Sequence, residues 1–174
     1  MVVPLGSIDD GAEQFSEGFA NVKIGKKWGF VDKSGKLVIA AQFDNAFKFS
    51  EGLAAVGNGG KYGFIDNTGA FVIGPQFTWS LVCANMAFSD GLSAVNLENK
   101  CVFVNKSGDI AIETEFDPQD PGRHIRHFSQ GLVPVQVDER WGYMDETGHF
   151  AIPPQFSEAG HFSFPDQPFR LRDF

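Results

Sequence analysis

Arg123, His124, Arg126 and His127 form the one strong cationic cluster in a chain that carries 22 acidic against 14 basic residues. Two guanidiniums and two imidazoles at this spacing could clamp a carboxylate or a phosphate, the imidazoles contributing most when protonated. The plainer reading is a solvated loop whose cations balance nearby acids. A metal held by His124 and His127 would need a third ligand from Asp117, Asp120 or a more distant residue, and no metal is expected. Cys83 and Cys101 would serve as nucleophiles only beside a base in an electropositive, partly exposed setting. Two cysteines fall far short of a disulfide framework, so they are expected as separate, reduced core residues. No glycine-rich phosphate loop, zinc signature or serine elbow occurs, so neither a catalytic residue nor a cofactor is expected.

The elements that must carry these residues are set by an internal repeat. Lys27-Trp28-Gly29-Phe30-Val31-Asp32-Lys33-Ser34-Gly35 returns as Lys61-Tyr62-Gly63-Phe64-Ile65-Asp66-Asn67-Thr68-Gly69, as Lys100-Cys101-Val102-Phe103-Val104-Asn105-Lys106-Ser107-Gly108, and as Arg140-Trp141-Gly142-Tyr143-Met144-Asp145-Glu146-Thr147-Gly148. Each copy follows a phrase resembling Phe-Ser-Glu-Gly-Leu-Ala-Ala-Val, anchored at Phe15, Phe49, Phe88 and Phe128. The spacing of these anchors suits stacked supersecondary units.

Within a unit, Gly52-Leu53-Ala54-Ala55-Val56, Tyr62-Gly63-Phe64-Ile65-Asp66 and Ala70-Phe71-Val72-Ile73 are short, apolar and largely β-branched or aromatic, which predicts three strands. Asp66…Gly69 and its counterparts Asp32…Gly35, Asn105…Gly108 and Asp145…Gly148 predict hairpins closed by a type I turn with a glycine bulge. The four Asp or Asn residues are therefore read as turn caps rather than as calcium ligands. Gly29, Gly63 and Gly142 lie inside strands, where a glycine implies the close approach of a neighbouring backbone or ring. Each third strand runs into Phe43, Phe77, Phe116 or Phe156, expected to fold back as plugs between units.

One unit cannot bury its own apolar face, so the units must stack. The expected fold is all-β: tandem three-stranded antiparallel hairpin repeats, arranged as a closed five-unit propeller-like ring or as an open β-solenoid. A single domain spans residues 1–174, with units at about 15–48, 49–87, 88–127 and 128–161 and partial units at 1–14 and 162–174. Ring closure would pair Val2-Val3 with Phe169–Leu171.

The Trp-Gly phrases at Trp28-Gly29 and Trp141-Gly142, with the following Asp and Gly, resemble the WG-repeat (KWG-repeat) family of mostly bacterial proteins, over about Phe15 to Phe156. Tyr62 is a mild departure, and Cys101-Val102 stands where the family has Trp-Gly. The resemblance implies an all-β repeat array serving as a binding module, with no shared catalytic motif. Trp28, Gly29, Asp32, Gly35, Tyr62, Gly63, Asp66, Gly69, Trp141, Gly142, Asp145 and Gly148 are accordingly read as structural.

Function is expected where the copies fail to match. Thr78–Met86, with Trp79, and Asp117–His127 are insertions between one unit's third strand and the next unit's first strand, so both should emerge on one rim. The expectation is a non-catalytic scaffold that recognises a protein or peptide through these rim loops, using Trp79, Arg123, His124, Arg126 and His127. The alternative is a small-molecule site or an enzyme, with a pocket near loops 78–87 and 117–127. A net charge of −8 disfavours nucleic acid and anionic membrane surfaces as partners. No basic n-region opens the chain and no stretch approaches the roughly 18 apolar residues of a membrane span, so a cytoplasmic location is expected.

Overall fold

The structure is a computed structural model and describes residues 15–83, 86–120 and 122–160. The terminal part-units and the expected pairing of Val2-Val3 with Phe169–Leu171 lie outside the described residues. Every regular element among them is a strand. Unit 1 comprises β1 (Phe19–Ile24), β2 (Lys27–Asp32) and β3 (Leu37–Phe43). It is followed by β4 (Asn45–Ala46), β5 (Ala54–Asn58), β6 (Lys61–Ile65) and β7 (Phe71–Phe77). Then come β8 (Leu92–Leu97), β9 (Lys100–Asn105) and β10 (Ile110–Glu113), and finally β11 (His124–Ile125), β12 (Leu132–Val137), β13 (Arg140–Asp145) and β14 (Phe150–Phe156). They form four small antiparallel sheets, ordered β1-β2-β3, β4-β5-β6-β7, β8-β9-β10 and β11-β12-β13-β14.

Three strands per unit understates this arrangement. The linker after a plug phenylalanine pairs with the first strand of the following unit, as β4 on β5, as β11 on β12, and as a single bridge of Thr78 to Asn96. The linker thus begins the next sheet before the anchor phenylalanine is reached, and consecutive units are knitted by backbone as well as by side chains.

The hairpin turns have the expected chemistry. Asp66 Oδ1 accepts from Thr68 N (2.9 Å), Thr68 Oγ1 (2.6 Å) and Ala70 N (3.1 Å), and Gly69 N donates to Asp66 O at a φ of 87°. Asp32 and Asp145 repeat the pattern, and Asn105 does the same work with Ser107 N and Asp109 N. The Ser34, Thr68 and Thr147 hydroxyls first, then the turn N–H groups, hold the three carboxyls below their ordinary value of 3.8.

Of the two expected neighbours, backbone or ring, Gly29, Gly63 and Gly142 meet backbone. Trp28 pairs with Phe43 and Phe30 with Ile39, so three residues of β3 arch over Gly29 alone. A Cβ on Gly29, Gly63 or Gly142 would lie 2.6, 2.5 or 2.6 Å from the carbonyl oxygen of Ile39, Ile73 or Ile152. In unit 3 the third strand ends early at Glu113, and Val102 is instead buried against unit 2.

The core lies between units rather than within them. Along β9, Val102 and Val104 face unit 2, whereas Cys101 and Phe103 face unit 4. Each anchor phenylalanine after Phe15 meets the preceding unit's second strand edge to face: Phe49 on Phe30 (5.0 Å), Phe88 on Phe64 (4.8 Å) and Phe128 on Phe103 (5.0 Å). Phe43, Phe77 and Phe116 are buried as the expected plugs, while Phe156 is 43% exposed.

A clasp beside each anchor adds polar bonds to this packing. Ser50-Glu51-Gly52-Leu53 is a two-residue turn with φ of 52° at Glu51 and 85° at Gly52, the primed type that suits twisted strands. Ser50 Oγ donates to Phe88 O of the next unit (2.7 Å), and Glu51 Oε2 accepts from Gly91 N (3.0 Å) and pairs with Lys106 Nζ (3.1 Å). Ser16 and Glu17 clasp unit 2 in the same way, and Ser89 and Asp90 clasp unit 4. A glutamate at positive φ costs about 1 kcal/mol, and the bond that its carboxylate makes across the interface offsets that strain.

Two outcomes follow. Gly63→Ala should lower unfolding free energy by about 1–3 kcal/mol, because backbone must move to admit the methyl. Gly74→Ala, where a Cβ meets nothing within 4 Å, should stay within about 0.5 kcal/mol of wild type in urea unfolding. Separately, carboxyls with a folded pKa below 3.8 stabilise the fold above that pH and lose the contribution as pH falls through the lower folded value. Replacing Asp32, Asp66 and Asp145 with Asn should therefore flatten the fall of stability below pH 3.8, measured as Tm against pH.

Candidate interaction surface

The two insertions meet. Ser80 Oγ in the first donates to Pro118 O in the second (2.6 Å), and Ile125 N donates to Val82 O (3.2 Å). Ser80 also organises its own loop, its Oγ accepting from Val82 N (3.1 Å) and Cys83 N (3.3 Å). Val82 and Ile125 are buried in the core shared by units 3 and 4, so the loops are seated on the scaffold by apolar burial as well as hydrogen bonds.

The cysteines are not separate thiols. Cys83 is joined to Cys101 by a disulfide, and both are fully buried among Phe103, Phe116, Ile125 and Met144. The expectation of two reduced core residues fails because the insertion folds its Cys83 back onto β9. Cys101 occupies the slot filled by Trp28, Tyr62 and Trp141 in the other units, opposite Asn96 as those residues lie opposite Lys23, Gly57 and Gln136. A cystine there occupies volume that elsewhere belongs to an aromatic ring.

The basic cluster is largely engaged with the protein itself. Arg123 Nε pairs with Asp120 Oδ2 (2.9 Å), and its guanidinium lies 5.1 Å from the Phe116 ring centroid. Arg126 stacks 4.6 Å from the Trp141 ring, and its backbone N–H donates to Pro134 O (3.1 Å). In unit 1, Lys23 lies over Trp28 in a similar way, at 6.0 Å. The cations therefore cover aromatic faces, an attraction worth about 0.5–1 kcal/mol where exposed. His124 points to solvent from β11, opposite Gln136, and His127 is partly buried beside Phe128. The structure thus brings the two loops together but turns the two guanidiniums onto separate rings.

The first insertion also exposes large apolar side chains. Trp79 is 48% and Leu81 64% solvent-accessible, on either side of the buried Ser80. Leu81 escaped the sequence reading, although a large apolar residue inside an insertion, with no counterpart in the repeat, was a usable signal. An open groove of about 630 Å³ lies at the base of the second insertion, lined by Asn99, Lys100, Glu113, Thr114, Glu115, Phe116 and Asp117. Trp79, His124 and His127 are not among its lining residues. Among the described residues no three His, Cys, Asp or Glu side chains gather at metal-binding distance.

None of the curated proteins matches this chain. Among solved structures it is similar to Hsv2 from Kluyveromyces lactis. The variant with loop 6CD replaced by a Gly-Ser linker aligns with a TM-score of 0.54 at 11% identity, covering 80% of this chain and 50% of that one. The structure titled Kluyveromyces lactis Hsv2p aligns at 0.53 and 13% identity, with the same coverage. At this identity the likeness is one of fold alone, and this chain spans about half the length of the structures it matches. The WG containing repeat matches five times, over residues 10–28, 28–62, 62–101, 103–141 and 141–163. Its boundaries fall at the slots of Trp28, Tyr62, Cys101 and Trp141. With the sheets, turns and arched glycines repeating in the same phase, the chain belongs to the WG-containing repeat family.

Proposed function

We propose that this chain is a non-catalytic scaffold that recognises a protein or peptide through the rim formed by its two inserted loops, with Trp79 and Leu81 as apolar anchors. The observation that carries this reading is the exposure of two large apolar side chains on a loop otherwise fastened to the core. Exposed apolar groups on a held loop cost little ordering entropy when a partner covers them, the property that makes aromatic anchors dominate interfaces. His124 and His127 would then form the polar border of the contact, while Arg123 and Arg126 hold the loop and the Trp141 face.

The four-stranded sheets begun by the linker, and the likeness to the propeller-like Hsv2 structures, favour a propeller-like succession of units over a straight solenoid. A propeller rim presents its inter-unit loops side by side, which suits recognition through neighbouring insertions. The groove at Glu113–Asp117 supports the small-molecule reading less well, because neither Trp79 nor His124 nor His127 lines it.

Affinity capture compared between the wild type and a Trp79→Ala, Leu81→Ala double variant tests the proposal. The expected result is a partner whose affinity drops at least about 30-fold in the variant, as for two moderate anchors, with Tm unchanged. An Arg126→Ala variant should show the opposite pattern, losing up to about 1 kcal/mol of stability while keeping its partner. Equal capture by the wild type and the double variant would overturn the proposal.

A further inference from the structure

Two of the departures of unit 3 from the repeat are one feature. Its second strand has Cys101 in place of the aromatic ring, and the linker before it carries an insertion that delivers Cys83 to that sulfur. The linker from Phe43 to Phe49 has neither an insertion nor a cysteine, and the unit it leads into keeps an aromatic residue, Tyr62, in the slot.

We infer that the Cys83–Cys101 bond is a redox-controlled clamp that docks residues 78–83 onto unit 3, so that the surface bearing Trp79 and Leu81 is ordered in the oxidised protein and released in the reduced one. This inference rests on the reading of that loop as a recognition surface. Without the bond the loop keeps Val82 in the core, the hydrogen bonds of Ser80 Oγ to Pro118 O and of Ile125 N to Val82 O, and the pairing of Thr78 with Asn96. A seat of that size belongs to the part of a protein that opens locally without global unfolding. The array itself does not depend on the bond, because the anchor stack of Phe128 on Phe103 and the clasp of Ser89 and Asp90 join units 3 and 4 independently.

The chemistry is thiol–disulfide exchange. A dithiol attacks one sulfur as thiolate, passes through a mixed disulfide and closes to its own disulfide, losing two electrons and two protons. Cys83 and Cys101 gain them and become two thiols. Both thiols suit the apolar site, since a free cysteine packs as a small hydrophobe. Both sulfurs are fully buried, so attack has to follow opening of the loop. Oxidising surroundings keep such pairs joined and a reducing cytosol keeps them apart, which makes the loop responsive to its compartment.

The test uses the full chain, oxidised or treated with dithiothreitol under native conditions, followed by brief chymotrypsin digestion and mass analysis. Reduction should raise cleavage after Trp79 and Leu81 at least about tenfold, with the phenylalanine-rich remainder of the array uncut. Cys83→Ser should match the reduced protein and ignore the reductant; if that variant does not fold, the wild-type comparison decides alone. Equal cleavage in both states would overturn the inference, as would cleavage throughout the chain on reduction, which would make the cystine a staple of the whole array. Partner capture is scored separately in each state. Loop opening without any change in capture keeps the clamp and removes the recognition reading, whereas an unopened loop removes the clamp whatever is captured.

Discussion

The structure depends on an interface that no single unit can form alone. Each three-stranded hairpin exposes an apolar face on both sides, and the following unit covers one of them by setting its anchor phenylalanine edge to face against the second strand, at Phe30–Phe49, Phe64–Phe88 and Phe103–Phe128. The second strands consequently alternate toward two neighbours rather than toward core and solvent, with both faces buried. That is why β6 and β9 read as near-continuous apolar runs although their sheets are antiparallel.

Burial alone would leave the rotation between units loosely specified. The serine and acidic residues that follow Phe15, Phe49 and Phe88 supply direction, because a hydroxyl bonded to one carbonyl and a carboxylate bonded to one N–H admit a narrow geometry. The hairpin glycines add a second constraint. A Cβ at Gly69, Gly108 or Gly148 would lie 3.1, 3.1 or 2.8 Å from Ile39, Ile73 or Ile112 of the preceding unit. A glycine that the turn needs for its positive φ is thus also the one residue small enough for the neighbouring isoleucine.

A scaffold so regular leaves its irregular sector conspicuous. The loop at residues 78–83, the Cys101 slot and the Asp117–His127 insertion converge where units 3 and 4 meet, and each irregularity is compensated by another: cystine for the missing ring, Ser80 to Pro118 for the open loop ends, Arg126 for the face of Trp141. Charge there serves packing first, as the pairing of Arg123 with both Asp120 and Phe116 illustrates.

The sequence by itself determined the repeat, the strand triplets, the turn caps at Asp32, Asp66, Asn105 and Asp145, and a close approach of backbone or ring at the Trp-Gly glycines. These follow from local conformational preference and from a period, both of which are written along the chain. Tertiary structure alone decided the fourth strand contributed by the linker, the bond between Cys83 and Cys101, and the division of the basic cluster between two rings. Each of these selects one partner among several that are chemically equivalent, and the choice rests on which groups the stacked units bring within reach. A pair of cysteines 18 residues apart carries no local sign of whether its sulfurs will meet, because the path of the loop between them is set by the core on which it lands.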